Sequence, residues 1–281
     1  MSTIEELFRK GILALKGLPH PALEAKVLLL HCLSLQEEEF FTSAGKKVSR
    51  NKEKKFLSLL KKRKKGLPLA YLTGKKEFWS LSFLVSPGVF IPRPETELLV
   101  EKVLELGSKN KGLIVDLGTG CGNVAISLAK ELPQARIIAT DVSKKALNLA
   151  RLNASSHGTR NIEFLRGDLF APLKKMALEK KCDFIVSNPP YLSESDWEEI
   201  SPEIKKNEPK EALVAGKTGL EVISRIIEEA PAFLKKSGYL LLEIGDRMES
   251  RVKSLFGQNY LSKRVYCDLG GLPRLVVAKT R

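Results

Sequence analysis

The apolar run Leu113-Ile114-Val115-Asp116 passes directly into Gly118-Thr119-Gly120-Cys121-Gly122, and helical spacing follows over 123–132. A short continuous apolar run reads as a buried strand. Glycines after it permit positive φ and let a ligand approach the backbone. A second apolar run, Arg136–Asp141, closes on an acid 25 residues after Asp116. Strand, tight turn, helix and strand in this order make a parallel pair, which needs a crossover connection and cover on both faces.

The alternation continues. Ser143 caps a helix that ends near Gly158, Ile162–Asp168 reads as a third strand and Asp183–Asn188 as a fourth. A helix over 219–236 stops at Gly238, Tyr239–Gly245 is a fifth strand, and 261–268 with 273–280 form an antiparallel pair. The pattern predicts a doubly wound, mostly parallel sheet with its ligands at the carboxyl ends of the strands. Upstream, residues 4–18, 21–35 and 49–65 carry helical spacing and are separated by Pro19, Pro21 and Gly66. The third helix carries Phe56, Leu57, Leu59 and Leu60 inside a strongly basic frame, with Phe56, Leu57 and Leu60 as its apolar side. Between the two regions, Phe78, Leu81, Phe83 and Val85 are β-prone and Ser86-Pro87-Gly88 is turn chemistry, which predicts a hairpin. Pro94, with Glu95 and Glu97 behind it, starts a helix.

Composition narrows the setting. Cys32, Cys121, Cys182 and Cys267 are far apart with no CxxC, which argues against a disulfide framework or zinc ribbon and suits a reducing cytoplasm. His20, His31 and His157 form no ligand spacing, so no metal is expected. The acidic start, with Glu5 and Glu6 after Ser2 and Thr3, reads as a capped helix and not as a signal peptide, and no apolar run suggests a membrane span. The net charge is +14, of which +9 falls in the first 80 residues. Such asymmetry suits an anionic partner, RNA included, but does not require one. The stretch 46–65 holds 11 Lys/Arg against Glu53. It is either a solvated helix face or a surface that steers an acidic partner.

The glycine loop selects among nucleotide-like ligands. A GxGxxG fingerprint for NAD needs glycine where Asn123 stands, and Asp116 beside a pyrophosphate would repel it. A P-loop ending at Gly216-Lys217-Thr218 fails at Glu211. S-adenosyl-L-methionine carries an ammonium and a sulfonium and no phosphate, so the acids favour it. Asp141 is placed to accept hydrogen bonds from the ribose hydroxyls. Asp168 serves either the adenine amino group, with Leu169 flanking the ring, or a helix cap.

The fourth strand ends in Asn188-Pro189-Pro190-Tyr191. Prolines there terminate a ladder, but beside a donor pocket they also suit a specific chemistry. An amide or aromatic amino nitrogen is a poor nucleophile with two N–H donors. The Asn188 side-chain carbonyl and the Pro189 backbone carbonyl supply two acceptors that hold such a group in line with a methyl. Both strengthen as the nitrogen becomes more acidic in the transition state. Tyr191 offers a stacking face. Cys121 is not needed as a nucleophile for direct transfer.

These motifs give the chain a family resemblance. AYLTGKKEFW at 70–79, FIPRPETE at 90–97, DLGTGCGNVAISLA at 116–129, IVSNPPY at 185–191, EPKEALVAGKTGL at 208–220 and LLLEIG at 240–245 resemble the protein-(glutamine-N5) methyltransferases of peptide chain release factors (PrmC/HemK-like). The resemblance implies an α/β fold: a Rossmann-like seven-stranded methyltransferase sheet with a small helical N-terminal domain joined by a β-hairpin. It implies domains at 1–75, 76–91 and 92–281, the first serving substrate docking. It implies methyl transfer from S-adenosyl-L-methionine, giving S-adenosyl-L-homocysteine, to the glutamine of a Gly-Gly-Gln motif. The donor falls at Asp116, Gly118, Thr119, Gly120, Cys121, Gly122, Asp141, Asp168, Leu169 and Asn188, and the substrate amide at Asn188, Pro189, Pro190 and Tyr191. Asn188, Pro189 and Tyr191 are the catalytic set. Arg93 and Glu95 shape a pocket wall or simply start a helix with a salt bridge. The expected partner is a release factor, met by a cytoplasmic monomer without obligatory nucleic acid or membrane, ribosome proximity being compatible with the charge. The alternative is adenine-N6 methylation of DNA or RNA on a flipped base.

Overall fold

The computed structural model describes residues 1–107 and 112–281. The chain divides into two units, Met1–Lys75 with Ser201–Asn207, and Lys76–Ile200 with Glu208–Arg281. In the first, Thr3 and Glu6 form a reciprocal capping box that starts the helix Ile4–Ala14. Helices Pro21–Leu33 and Arg50–Lys64 join it around Leu7, Leu28, Leu29, Phe56 and Leu60. Short helices at Glu37–Thr42 and Leu69–Thr73 lack the length to show a period in the sequence.

The expected apolar face of Arg50–Lys64 needs one correction. Leu57 is exposed and Leu59 is buried with Phe56 and Leu60. The spacing 56, 59, 60 and 63 continues the stripe to Arg63, whose guanidinium is buried. Arg63 bridges Glu24 at 2.6 Å and Glu203 at 2.6 Å, and Asn207 Nδ2 donates to the Gly66 carbonyl at 2.8 Å. Residues 201–207 thereby complete this unit. Lys61, Lys62, Lys64 and Lys65 stay exposed around Arg63.

The second unit opens with a hairpin, β1 (Lys75–Phe78) and β2 (Leu81–Leu84). Its turn is not at Ser86-Pro87-Gly88 but at Trp79-Ser80, with φ of 51° and 54°. Positive φ at both central residues is the requirement of a type I′ turn, normally met by Asn-Gly. Here tertiary bonds hold it: Trp79 donates its backbone N–H to Glu97 at 2.7 Å and its indole N–H to Glu131 at 2.8 Å. Ser86–Val89 makes a separate turn.

The remaining strands are β3 (Leu113–Leu117), β4 (Arg136–Asp141), β5 (Ile162–Arg166), β6 (Cys182–Ser187), the short β7 (Leu192–Ser193) and β8 (Val214–Gly216), then β9 (Leu234–Glu243), β10 (Tyr260–Cys267) and β11 (Pro273–Thr280). Seven form one sheet in the order β10-β11-β9-β6-β3-β4-β5. β10 and β11 are antiparallel, as are β11 and β9; the rest are parallel. This is the doubly wound sheet that the alternation predicts. Successive residues feed opposite cores: Ile114, Phe184 and Leu241 face one, Val115, Ile185 and Leu240 the other. Helices Glu97–Leu106, Asn123–Glu131 and Lys144–Ser156 cover the first face, and Glu221–Phe233 and Glu249–Leu255 the second.

Two boundaries differ from expectation. The long helix ends at Phe233, not near 236, because the chain turns extended at Leu234 and pairs with Cys182. Strand pairing there overrides the helix propensity of Lys235 and Lys236. Pro94 begins a single 3₁₀ turn, Pro94–Thr96, and the α-helix starts at Glu97. No helix among the described residues is long and apolar enough to cross a membrane. The hairpin gives a direct test. Ser80→Gly relieves the left-handed strain, and urea unfolding should show a gain of about 0.5–1 kcal/mol; a loss would mean that Ser80 contributes more than its backbone.

Candidate active site

Strand order reverses around β3. The chain runs outward through β4 and β5 on one side and through β6 and β9 on the other. Loops leaving β3 and β6 therefore diverge and leave a crevice at the carboxyl ends. A cavity of about 460 Å³ lies there. Its wall includes Asp116, Gly118, Thr119, Gly120, Cys121, Asp141, Asp168, Leu169, Asn188 and Pro190. Gly122, Pro189 and Tyr191 lie outside that wall.

The glycine loop is held by its own acids. Gly118 and Thr119 donate backbone N–H groups to the Thr140 carbonyl at 2.9 Å each. Thr119 Oγ1 donates to Asp116 at 2.7 Å. Asp141 accepts from the Gly120 N–H at 2.9 Å and from the Ser143 N–H at 2.8 Å. Ser143 in turn caps the helix Lys144–Ser156. Asp141 thus shapes the loop as well as facing the cavity. Gly120 has φ of 57° and open space where a side chain would stand, a cradle for a ligand against backbone. Gly122 serves packing: a Cβ there would sit 2.8 Å from Ile126 and 3.1 Å from Ala150. It lets the helix Asn123–Glu131 lie close to its neighbour.

Burial raises both acids. The Asp116 carboxyl is pushed up to about 7, against the pull of Thr119 and with a further push from Asp141. Asp141 is raised by burial and restrained by its two backbone bonds. Cys121 is buried and its thiol is pushed up to about 12, which makes it a poor nucleophile. Asp168 lies beyond the end of β5 and accepts from Arg225 at 2.6 Å. The donor set fits S-adenosyl-L-methionine. Two acids attract its cationic groups, the glycine loop is open, and the cation Arg225 in the wall is already paired.

On the β6 side, Asn188 Nδ2 donates to Thr96 Oγ1 at 3.0 Å. Ser187 anchors the strand end through a 2.7 Å bond to the Leu117 carbonyl. Tyr191 sits among Glu243, Arg274, Arg93 and Glu95, and burial pushes its hydroxyl up to about 12. The residues that sequence reasoning left without a role belong to two of the quoted motifs. Phe90 and Thr96 line the cavity from FIPRPETE, and Pro209, Glu211 and Ala212 from EPKEALVAGKTGL. Buried Glu208 ties these segments together: it accepts from the Ile91 N–H at 3.1 Å and pairs with Arg93. Arg93 thus salt-bridges across 115 residues of chain and not to Glu95. Motif recurrence was the available signal; the partner was not readable.

Two measurements test the donor pocket. A cationic donor favours ionised Asp116, so binding near neutral pH should release a proton. The sign follows from the raised value. Below about 7 the acid is protonated in the free protein and affinity falls; above it affinity levels off. Calorimetry in buffers of different ionisation enthalpy reads the proton, and buffer-independent heats would refute the coupling. Asp141→Asn should weaken the donor by about 1–3 kcal/mol, the range for hydrogen bonds to a charged group.

Comparison with known proteins agrees with the geometry. Residues 6–74 match the PrmC N-terminal domain family and residues 80–207 the Methyltransferase small domain family. The release factor glutamine methyltransferase of Koribacter versatilis is 34% identical over 280 residues, covering 99% of this chain and 98% of the relative. That of Coxiella burnetii is 40% identical over 261 residues, covering 92% of each. Among solved structures, a Thermus thermophilus 16S rRNA methyltransferase in complex with AdoMet and guanosine shares the fold, with a TM-score of 0.54 at 19% identity over 74% of this chain and 50% of that one. A ribosomal protein methylase of Lactobacillus delbrueckii subsp. bulgaricus gives 0.51 at 18% identity over 70% of this chain and 84% of that one. The fold is therefore that of the Rossmann-like methyltransferases, and the chain belongs to the release factor glutamine methyltransferase family.

Proposed function

We propose that this enzyme transfers a methyl group from S-adenosyl-L-methionine to the side-chain amide nitrogen (N5) of the glutamine in the Gly-Gly-Gln motif of peptide chain release factors. The observation that carries the reading is Asn188. It closes β6 at the rim of an acid-lined cavity, with its amide nitrogen tied back to Thr96. Its carbonyl is then the end available to a substrate N–H.

When bound, the donor supplies an electrophilic methyl on a sulfonium. The protein's part is placement. Asp116 and Asp141 hold the donor's ammonium and ribose, and Asp168 with Leu169 holds the adenine. Asn188 Oδ1 and the Pro189 carbonyl take the two N–H groups of the glutamine amide, with Pro190 and Tyr191 against its plane. Holding the nitrogen in line supplies up to roughly 7–11 kcal/mol in favourable cases. The acceptors bind most strongly as N–H acidity rises in the transition state. Full-length relatives named for release factor glutamine support this substrate over adenine in nucleic acid. A monomer acting in the cytoplasm suits such a partner.

Labelled donor offered in parallel to release factor, DNA and RNA distinguishes the substrates. Mass spectrometry should find one methyl on the Gly-Gly-Gln glutamine, and Asn188→Ala should abolish it while the fold persists. Adenine methylation with an unmodified release factor would replace this reading. The first unit adds a second test. Its exposed Lys61, Lys62, Lys64 and Lys65 draw in an acidic protein surface through association rate. Reversing the four to Glu should raise KM for whole release factor and leave a short Gly-Gly-Gln peptide little affected. Equal kcat/KM at low salt would leave only a solvated lysine face.

A further inference from the structure

Methyl transfer to an amide works only if Asn188 presents oxygen. An asparagine amide is nearly symmetric in shape, and a half-turn would set its NH2 against the NH2 of the substrate, donor against donor. Thr96 alone does not choose between the two orientations, because a hydroxyl both donates and accepts. The choice must come from the group behind it.

That group is Glu243. It is the last residue of β9, and the parallel register Ser187↔Leu242 sets it beside Asn188 at the end of β6. Thr96 is 2% exposed and Glu243 3%. The Thr96 hydroxyl stands close enough to the Glu243 carboxyl to hold it below the level that burial alone would set, and Glu243 Oε2 is buried with no hydrogen-bond partner. An unmatched buried carboxyl oxygen costs stability, more so when the group is charged. A well-packed apolar residue would avoid that cost.

We propose that Glu243, acting through Thr96, is the positioning residue that orients the Asn188 amide with its carbonyl toward the substrate nitrogen. An ionised carboxylate only accepts. It takes the Thr96 proton, which leaves Thr96 Oγ1 as an acceptor and obliges Asn188 to donate its NH2, as the 3.0 Å bond records. A protonated Glu243 removes that obligation: it donates to Thr96, whose own proton is then free for the Asn188 oxygen. The amide loses its fixed sense. This inference rests on the methyl-transfer reading above and adds to it the group that sets the acceptor.

The lock is pH-dependent in a defined direction. Burial raises the Glu243 carboxyl to about 7. Thr96, Arg274 from β11 and Arg93 pull it down, and Glu95 pushes it up; the Tyr191 hydroxyl faces it as well. Lowering pH through about 7 therefore protonates Glu243 and unlocks Asn188.

The test measures kcat on whole release factor at saturating donor, with donor affinity measured separately to remove the contribution of Asp116. Thr96→Val keeps shape and removes the hydroxyl, and Glu243→Gln keeps shape and replaces an accept-only carboxylate with an amide that can also donate. Each should lower kcat about 10- to 100-fold, the scale of a misplaced reacting group, with donor affinity within about 2-fold and thermal unfolding still cooperative. Thr96→Ser should recover most of what Thr96→Val loses. Wild-type kcat should fall between about pH 8 and pH 6, and Glu243→Gln should be flat there. Wild-type kcat in Thr96→Val, or an acid limb that survives in Glu243→Gln, would overturn the proposal. Failure of the wild type to methylate release factor at any pH would instead refute the substrate assignment.

Discussion

The reversal of strand order beside β3 is the constraint from which the site follows. Parallel strands end together, so β3, β4, β5 and β6 deliver Gly118, Asp141, Asp168 and Asn188 to one edge of the sheet. β3 is buried along its whole length, between two cores built from alternate residues. Its rigidity is what allows a loop rich in glycine to hold a fixed shape. The hydrogen bonds that the loop's N–H groups donate to Asp141 and to the Thr140 carbonyl are short-range consequences of the same pairing.

The electrostatics of the crevice follow from the same geometry. Strand ends carry side chains inward, away from water, and three of those side chains are acids. Asp116, Asp141 and Glu243 are all raised by burial. In the absence of a cation this arrangement is unfavourable. Under the proposed function a cationic donor offsets it for Asp116 and Asp141, whereas Glu243 faces Arg274 and Arg93. The two sets of acids therefore answer to different partners.

What the sequence revealed was contiguous, and what it hid was long-range. The sheet could be read from apolar runs and turn residues, and Asp116, Asp141 and Asn188 stand out because each closes a run. Thr96 and Glu243 do not, since one sits in a 3₁₀ turn and the other at the end of an ordinary LLLE strand. They meet only because β9 pairs with β6 and the Pro94–Thr96 turn packs over both. Glu208 opens a quoted motif, but its partner, 115 residues away, could not be read. The Trp79-Ser80 turn has none of the usual turn chemistry, as two glutamates hold it from elsewhere. Leu57 misled because adjacent leucines leave the helix face ambiguous until Arg63 is counted as inward.

Arg63 also bears on how the chain is made. Its side chain is 7% exposed between Glu24 and Glu203, and Asn207 closes on Gly66. The helical unit therefore draws its last helix from beyond the middle of the sequence. During vectorial synthesis, the first 75 residues leave the ribosome with a buried cation still lacking one of its two carboxylates. The unit that is N-terminal in sequence reaches its final form only after residue 207 has emerged, when most of the sheet strands already exist.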